Sequence, residues 1–162
     1  MTPVRSLLIA AAALAAGCAG SGQRSSAPAT PQGAQPTRLA VTAADFADTD
    51  QNSYRDTTTV VVYVSADPYP IPVRPQGRFR FTLEGPGGRP LATWDYDAAQ
   101  TEASVRDLAP GPGGVFELSL LRAGSDRIEA AEGVLTCTFY PARGGQPLSR
   151  SVSPVLIGPT GR

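Results

Sequence analysis

The sequence predicts an all-β protein, a single antiparallel β-sandwich of about seven to eight strands. Apolar and polar residues alternate in several short segments, as they do in half-buried strands. Clusters of glycine and proline separate these segments at intervals of roughly ten residues. No long segment repeats its apolar residues with the helical period. These three observations favour one sheet-built domain.

Alternation is clearest in residues 78–84, RFRFTLE, where Phe79, Phe81 and Leu83 share one face. The segment 58–64, TTVVVYV, is apolar on both faces, which is typical of a central strand. The same pattern places Trp94 inward. The other predicted strands lie at 38–42, 91–97, 102–108, 115–121, 134–140 and 149–158.

Breaker residues mark the connections between these strands. GPGGRP at 85–90, PGPGG at 110–114 and RGGQP at 143–147 predict loops. PYPIPVRP at 68–75 cannot pair inside a sheet, because proline has no N–H to donate. SDRIEAAEG at 125–133 is compatible with one turn of helix.

The N-terminus carries a targeting signal. In MTPVRSLLIAAAALAAGC a short charged region precedes an apolar run and small residues, as in secretory signals. The apolar run is much shorter than the roughly 20 residues that span a bilayer. The segment LAAGC at 14–18 resembles the lipobox of bacterial lipoproteins. That resemblance implies that Cys18 is lipidated and becomes the first mature residue. The alternative is an ordinary secretory signal in which Cys18 is incidental.

The predicted organisation follows from this signal. Residues 1–17 are the signal peptide, and 18–37 are the lipidated cysteine with a flexible tether, because this segment has no large apolar side chain. Residues 38–158 form the sandwich, and 159–162 are a C-terminal tail.

The location and the partners are also expectations of the sequence. Ala19 after the cysteine resembles lipoproteins of the outer membrane, facing the periplasm or the surface. The 14 basic and 14 acidic residues leave no net field to attract nucleic acid. The expected partners are the membrane, through the lipid, and an unidentified envelope protein or glycan.

Residues 48–56, DTDQNSYRD, resemble the start of a calcium loop. Asp48, Asp50 and Asn52 occupy alternate positions, as the first three ligands of an EF-hand do. Asp45 or Asp56 could supply further oxygens to Ca²⁺. Calcium is the one metal that the sequence suggests, and otherwise no cofactor is expected.

The calcium pattern has departures. Ser53 replaces the glycine of position six, and Thr59 replaces the glutamate of position twelve. Predicted strands rather than helices flank the loop. The favoured interpretation is a surface turn held by Asp and Asn side chains, with Arg55 able to neutralise an aspartate.

Catalytic patterns are sparse. The sequence has no histidine, which excludes a Ser-His-Asp triad, and one cysteine besides Cys18 is too few for a zinc site. That cysteine, Cys137, is predicted to be a small buried hydrophobe. Asp95 and Asp97 share one strand face and suggest a glycoside-type hydrolase as a remote alternative. We expect a protein that is not an enzyme.

The strand count and spacing resemble immunoglobulin-like and fibronectin-like sandwiches. The predicted function is a lipid-anchored, non-catalytic binding or scaffolding module, and the alternative is a calcium-dependent adhesion or carbohydrate-binding module. Tyr69, beside the P-x-x-P of residues 72–75, is the aromatic predicted to be exposed for binding.

Overall fold

A computed structural model describes residue 31 and residues 33–161. Two four-stranded antiparallel sheets pack face to face, which confirms the predicted all-β sandwich. The strands are β1 (Arg38–Ala43), β2 (Tyr54–Arg55), β3 (Thr57–Ser65), β4 (Gly77–Glu84), β5 (Pro90–Tyr96), β6 (Val105–Asp107), β7 (Pro112–Ser119), β8 (Glu132–Pro141), β9 (Leu148–Leu156) and β10 (Gly158–Pro159). The helices are α1 (Ala98–Ser104) and α2 (Leu120–Ala123), and Pro86–Gly88 forms a 3-10 turn.

The strand order is that of an immunoglobulin-like sandwich. One sheet has the order β1-β3-β7-β6 and the other the order β5-β4-β8-β9. In the strand lettering of immunoglobulin domains these orders are A-B-E-D and C′-C-F-G. The strand C′, which is β5 here, is added to the seven strands of the constant-type arrangement. The short strands β10 and β2 pair separately, Gly158 opposite Arg55.

The core lies between the two sheets and consists of the inward side chains that alternation predicts. Phe79 and Phe116 come from opposite sheets, and their ring centroids lie 5.0 Å apart. Trp94 is buried at the end of the core, and its indole N–H donates to the Ser119 carbonyl at 2.9 Å. This hydrogen bond removes the cost of burying the one polar atom of the indole.

Helix α1 is where the prediction fails. The segment 102–108 was expected to be one strand, but only β6 is extended and residues up to Ser104 are helical. Asp97 and Gln100 form a capping box: the Asp97 carboxylate accepts from the Gln100 backbone N–H at 2.8 Å, and the Gln100 side-chain oxygen accepts from the Asp97 backbone N–H at 2.9 Å. Two satisfied backbone donors and a run of good helix formers outweigh a short alternation.

The predicted helical turn at 125–133 is not helical. A single turn, α2, forms just before it, where Ser119 caps the start and Gly124, at φ 135°, ends it. Left-handed φ values favour glycine, so the helix stops before the predicted segment begins.

The predicted loops at 85–90 and 143–147 join β4 to β5 and β8 to β9. Residues 68–75 stay outside the sheets except for one bridge between Val73 and Val64. Within the predicted tether, Thr37 is attached to the domain: its N–H donates to the Ser65 carbonyl at 2.9 Å. Among the described residues, no helix is long and apolar enough to span a membrane.

Candidate functional site

The predicted calcium loop brings three carboxylates together. Asp48, Asp50 and Asp56 each offer an oxygen, and these three oxygens lie within 4.8 Å of one another. Among the described residues, no arginine forms an ion pair with any of them. Three like charges at this spacing without a basic partner repel one another, and a bound cation would relieve that repulsion.

Hydrogen bonds within the loop also occupy these carboxylates. Asp48 accepts from the backbone N–H groups of Asn52 and Ser53 at 3.1 and 2.9 Å. Asp50 accepts from the Asn52 backbone N–H at 3.2 Å and from its side-chain amide at 3.0 Å. These are the local bonds that Asp makes in a surface turn, and they hold the loop backbone in its conformation.

Asp56 is the structural centre of the loop. Its side chain is fully buried and accepts from the Thr49 hydroxyl at 2.6 Å, the Thr49 N–H at 2.9 Å and the Asp50 N–H at 3.3 Å. Burial raises the pKa of Asp56, but hydrogen bonds from the Thr49 and Thr57 side chains and the two backbone donors outweigh burial, so the net pKa is lowered. The carboxylate is therefore held ionised.

The loop backbone follows the calcium pattern more closely than its residue types do. Ser53, at position six, has φ 73°, the left-handed conformation that glycine provides in an EF-hand loop. Thr59, at position twelve, lies in β3 opposite Glu117 and offers no carboxylate. The third carboxylate of the cluster is Asp56, at position nine.

The other two predicted ligands, Asp45 and Asn52, do not add oxygens to the cluster of three carboxylates. Asp45 accepts from the Leu156 N–H at 3.0 Å and so ties the loop to β9. Asn52 points its side-chain nitrogen at Asp50, and its oxygen accepts from the Tyr54 N–H at 2.8 Å. Arg55 donates to the Pro159 carbonyl at 2.9 Å and neutralises no aspartate of the loop.

Asp126, which the sequence did not predict as a site residue, contacts the loop through Asn52. Asp126 is only 4% exposed, and it accepts from the Asn52 side-chain amide at 2.6 Å. It lies 74 positions from Asn52 in the chain, so only the folded arrangement of α2 and β8 brings it here. The sequence around Asp126, GSDRIEA, contains no other aspartate and carries no signal of this contact.

Asp95 and Asp97, the two carboxylates of the hydrolase alternative, bind different groups. Asp95 forms a two-point ion pair with Arg80, at 2.7 and 3.1 Å, on the outer face of the sheet. Asp97 caps α1 through the Gln100 N–H. Both carboxylates are exposed, whereas paired acid and base catalysis needs two carboxylates in contrasting environments.

Cys137 lies on β8 in the core with no exposed surface, and burial raises the pKa of its thiol to about 12.

The predicted binding residue Tyr69 is half-buried, and its backbone N–H donates to the Ala66 carbonyl at 2.8 Å. Tyr96 is half-buried beside the core rings and donates to the Glu117 carbonyl at 2.7 Å. The side-chain hydroxyl of Tyr96 therefore supports the fold.

A groove of about 590 Å³ lies at one end of the sandwich. Its three walls are residues from the end of the predicted tether (31 and 33–36), from the proline segment (71–76) and from the turn after β8 (141–143). Ligand sites of small molecules occupy roughly 300–1,000 Å³, so the groove is large enough for a ligand. The sequence suggested a binding role for residues 72–75, but it did not predict that the end of the tether and the turn after β8 lie beside them.

Cys18 and the rest of the predicted signal and tether up to residue 30 lie outside the described residues. Neither the models of known protein families nor the curated proteins include a match to this chain.

Proposed function

We propose that this protein is a lipid-anchored, non-catalytic binding or scaffolding module of the bacterial cell envelope. In this proposal Cys18 carries the lipid, and the protein sits at the outer membrane, facing the periplasm or the surface. The sandwich is the rigid body that meets an envelope protein or a glycan. No cofactor is needed for this role.

The composition of the groove is the observation that carries the binding role. Its described lining contains proline, glycine, aliphatic residues, two glutamines and two arginines, but no acid, hydroxyl or thiol. Such a lining can hold a ligand by packing and hydrogen bonds, but it offers no nucleophile or general base. This chemistry supports binding over catalysis.

The lipid anchor is supported by LAAGC at 14–18 and by the position of the sandwich after it. Two or more acyl chains hold a protein stably at a membrane where one does not. The test is membrane fractionation of cells that express the protein, the Cys18→Ser variant and the Cys137→Ala variant. The last is the matched control, because it removes the other thiol of the chain.

We expect the protein and the Cys137→Ala variant to be found in the detergent-soluble membrane fraction. The Cys18→Ser variant cannot carry the lipid and should not partition with membranes as the parent protein does. A Cys18→Ser variant that partitions with membranes as the parent protein does would contradict the anchor. Capture of envelope proteins and glycans on the purified protein then identifies what the module binds.

A second candidate function, a calcium-dependent adhesion or carbohydrate-binding module, is favoured by the unpaired cluster of Asp48, Asp50 and Asp56. Calcium prefers such oxygen ligands. If calcium binds and its concentration is a hundred times the dissociation constant, the folded state gains about 2.7 kcal/mol. For a domain of this size the melting temperature would rise by roughly 10 °C.

Thermal melting in EDTA and in millimolar Ca²⁺ tests the calcium candidate. The Asp50→Asn variant should lose the calcium-dependent rise, while Asp107→Asn, an exposed carboxylate on β6, should keep it. Equal melting temperatures in EDTA and Ca²⁺ would leave the loop as a hydrogen-bonded turn.

A further inference from the structure

Three groups of side chains define the chemistry of the groove, whose walls are residues 31 and 33–36, 71–76 and 141–143. Pro31, Pro36, Pro72, Ile71 and Val73 present apolar surface. Gln35 and Gln76 offer carboxamides, each of which can donate and accept hydrogen bonds. Arg74 and Arg143 bring the only charges among the described lining residues.

The charge of the groove is one-sided. Two guanidinium groups and no carboxylate line it, so the lining favours an anion. Guanidinium groups bind carboxylates in a two-point geometry that a compact ammonium cannot match. A ligand that complements this lining carries a carboxylate next to apolar surface, together with amide groups for the glutamines.

The two arginines differ in how much of their charge is available. Arg74 forms an ion pair with Glu102 at 2.7 Å, on the side of α1. Arg143 forms no ion pair with any acid among the described residues. Its guanidinium instead packs on Gly33, where an added Cβ would lie 2.6 Å from Nη1. Arg143 is thus the uncompensated charge, and it touches the tether wall of the groove.

We propose that this groove binds a short apolar peptide segment that carries a carboxylate, with Arg143 as the carboxylate receptor. The proline rings of the walls pack against the apolar part of the peptide, and Gln35 and Gln76 bond its backbone amides. The carboxylate comes from an acidic side chain or from a free C-terminus, since both present the same group. This inference rests on the proposed binding role and names the ligand class of that site.

Three fluorescently labelled peptides probe the groove of the purified protein by fluorescence anisotropy. Amidated APVAPE carries only a side-chain carboxylate, APVAPQ with a free C-terminus carries only a terminal one, and amidated APVAPQ carries none. We expect at least one charged peptide to bind with a dissociation constant below about 1 mM, and to bind about tenfold more tightly than the neutral peptide. The preferred charged peptide identifies the source of the carboxylate.

Charge variants of the protein test the assignment of Arg143. Arg143→Gln should weaken binding of the charged peptide about tenfold and leave the neutral peptide unchanged. Glu102→Gln releases Arg74 from its ion pair and should tighten the charged peptide about threefold, because the groove gains an uncompensated charge. Arg89→Gln, in the exposed turn between β4 and β5, is the matched control and should change neither affinity.

The opposite directions expected for Arg143→Gln and Glu102→Gln separate a charge effect from damage to the fold. Equal affinity for charged and neutral peptides, or an Arg143→Gln variant that binds like the parent, would overturn the inference. So would the failure of all three peptides to bind below about 1 mM. If the protein nevertheless depends on Cys18 for its membrane attachment, the groove assignment fails and the lipid anchor of the proposed function stands.

Discussion

At the scale of single residues, two buried titratable groups respond to burial in opposite ways. Asp56 and Cys137 both have no exposed surface. Asp56 has hydrogen-bond donors on several sides, so its pKa falls in spite of its burial. For Cys137, desolvation by burial raises the pKa of the thiol to about 12. The difference arises because a buried charge is stable only where donors replace the lost water.

Replacing Asp56 should destabilise the fold in a pH-dependent way. Asp56→Asn is expected to lower the free energy of unfolding by about 2 kcal/mol at pH 7, because bonds to a charged acceptor are lost. A lowered folded pKa contributes stability above the unfolded value, near 3.8, and loses it as the pH falls through the folded pKa. The gap between parent and variant should therefore narrow in acid.

Urea denaturation at pH 7 and at pH 3 measures this gap. Asp107→Asn, which changes an exposed carboxylate on β6, is the control and should shift stability little at either pH. A constant gap between the parent and Asp56→Asn at both pH values would refute the role of the ionised carboxylate.

Cys137 should not react with thiol reagents in the native protein, and its burial should lower the free energy of unfolding at alkaline pH. The folded pKa of about 12 exceeds the ordinary value of 9.0, so stability is full below pH 9 and declines as the pH rises toward 12. The decline is about 1.4 kcal/mol per pH unit from this thiol. Denaturation of the parent and of Cys137→Ala between pH 8 and 11 measures it.

The variant lacks the thiol, so its stability should fall less steeply than that of the parent over this range. Iodoacetamide should label Cys137 in urea but not in buffer at pH 8. Rapid labelling of the folded protein would show that the thiol is accessible and would contradict its burial.

At the scale of elements, α1 combines a strong start signal with one unfavourable contact. The capping box of Asp97 and Gln100 begins the helix, and the Thr101 side chain faces the core with no exposed surface. The Thr101 hydroxyl has no hydrogen-bond partner. A buried hydroxyl without a partner costs free energy that a methyl group does not.

Thr101→Val should therefore stabilise the protein, since it replaces the hydroxyl by a methyl group of similar shape. We expect a gain of about 1 kcal/mol, seen as a rise of a few degrees in the melting temperature. The matched control is Thr58→Val, which removes a buried hydroxyl that donates to the Ala44 carbonyl at 2.6 Å and should destabilise. Equal effects of the two changes would show that hydrogen bonding at Thr101 has no influence.

Alternation is sufficient to predict the long strands because burial on one face imposes period two, as in β4 with Phe79, Phe81 and Leu83. It fails for α1, where a capping box of two residues outweighs a weak alternation. The convergence of Asp48, Asp50 and Asp56 is predictable because one loop contains all three. The contact of Asp126 with Asn52 and the walls of the groove are not predictable, because they depend on how distant segments pack.

At the scale of the whole molecule, the proposed account joins an anchor, a connecting segment and a rigid sandwich. The described end of that segment, residues 33–37, does not hang free but lies along the domain: Thr37 bonds to Ser65 and Asp67. A ligand in the groove would contact both this segment and the domain. Ligand binding and the path of the chain toward the membrane are therefore coupled in the proposed account.

Lipid attachment at Cys18 is the central claim, because it decides where the binding module works. Mass spectrometry of the N-terminal peptide of the protein, isolated from membranes of the producing bacterium, tests it most directly. The account predicts a chain that begins at Cys18, with a diacylglyceryl group on its sulfur and an acyl chain on its amino group. An N-terminus at another residue, or an unmodified Cys18 thiol, would contradict it.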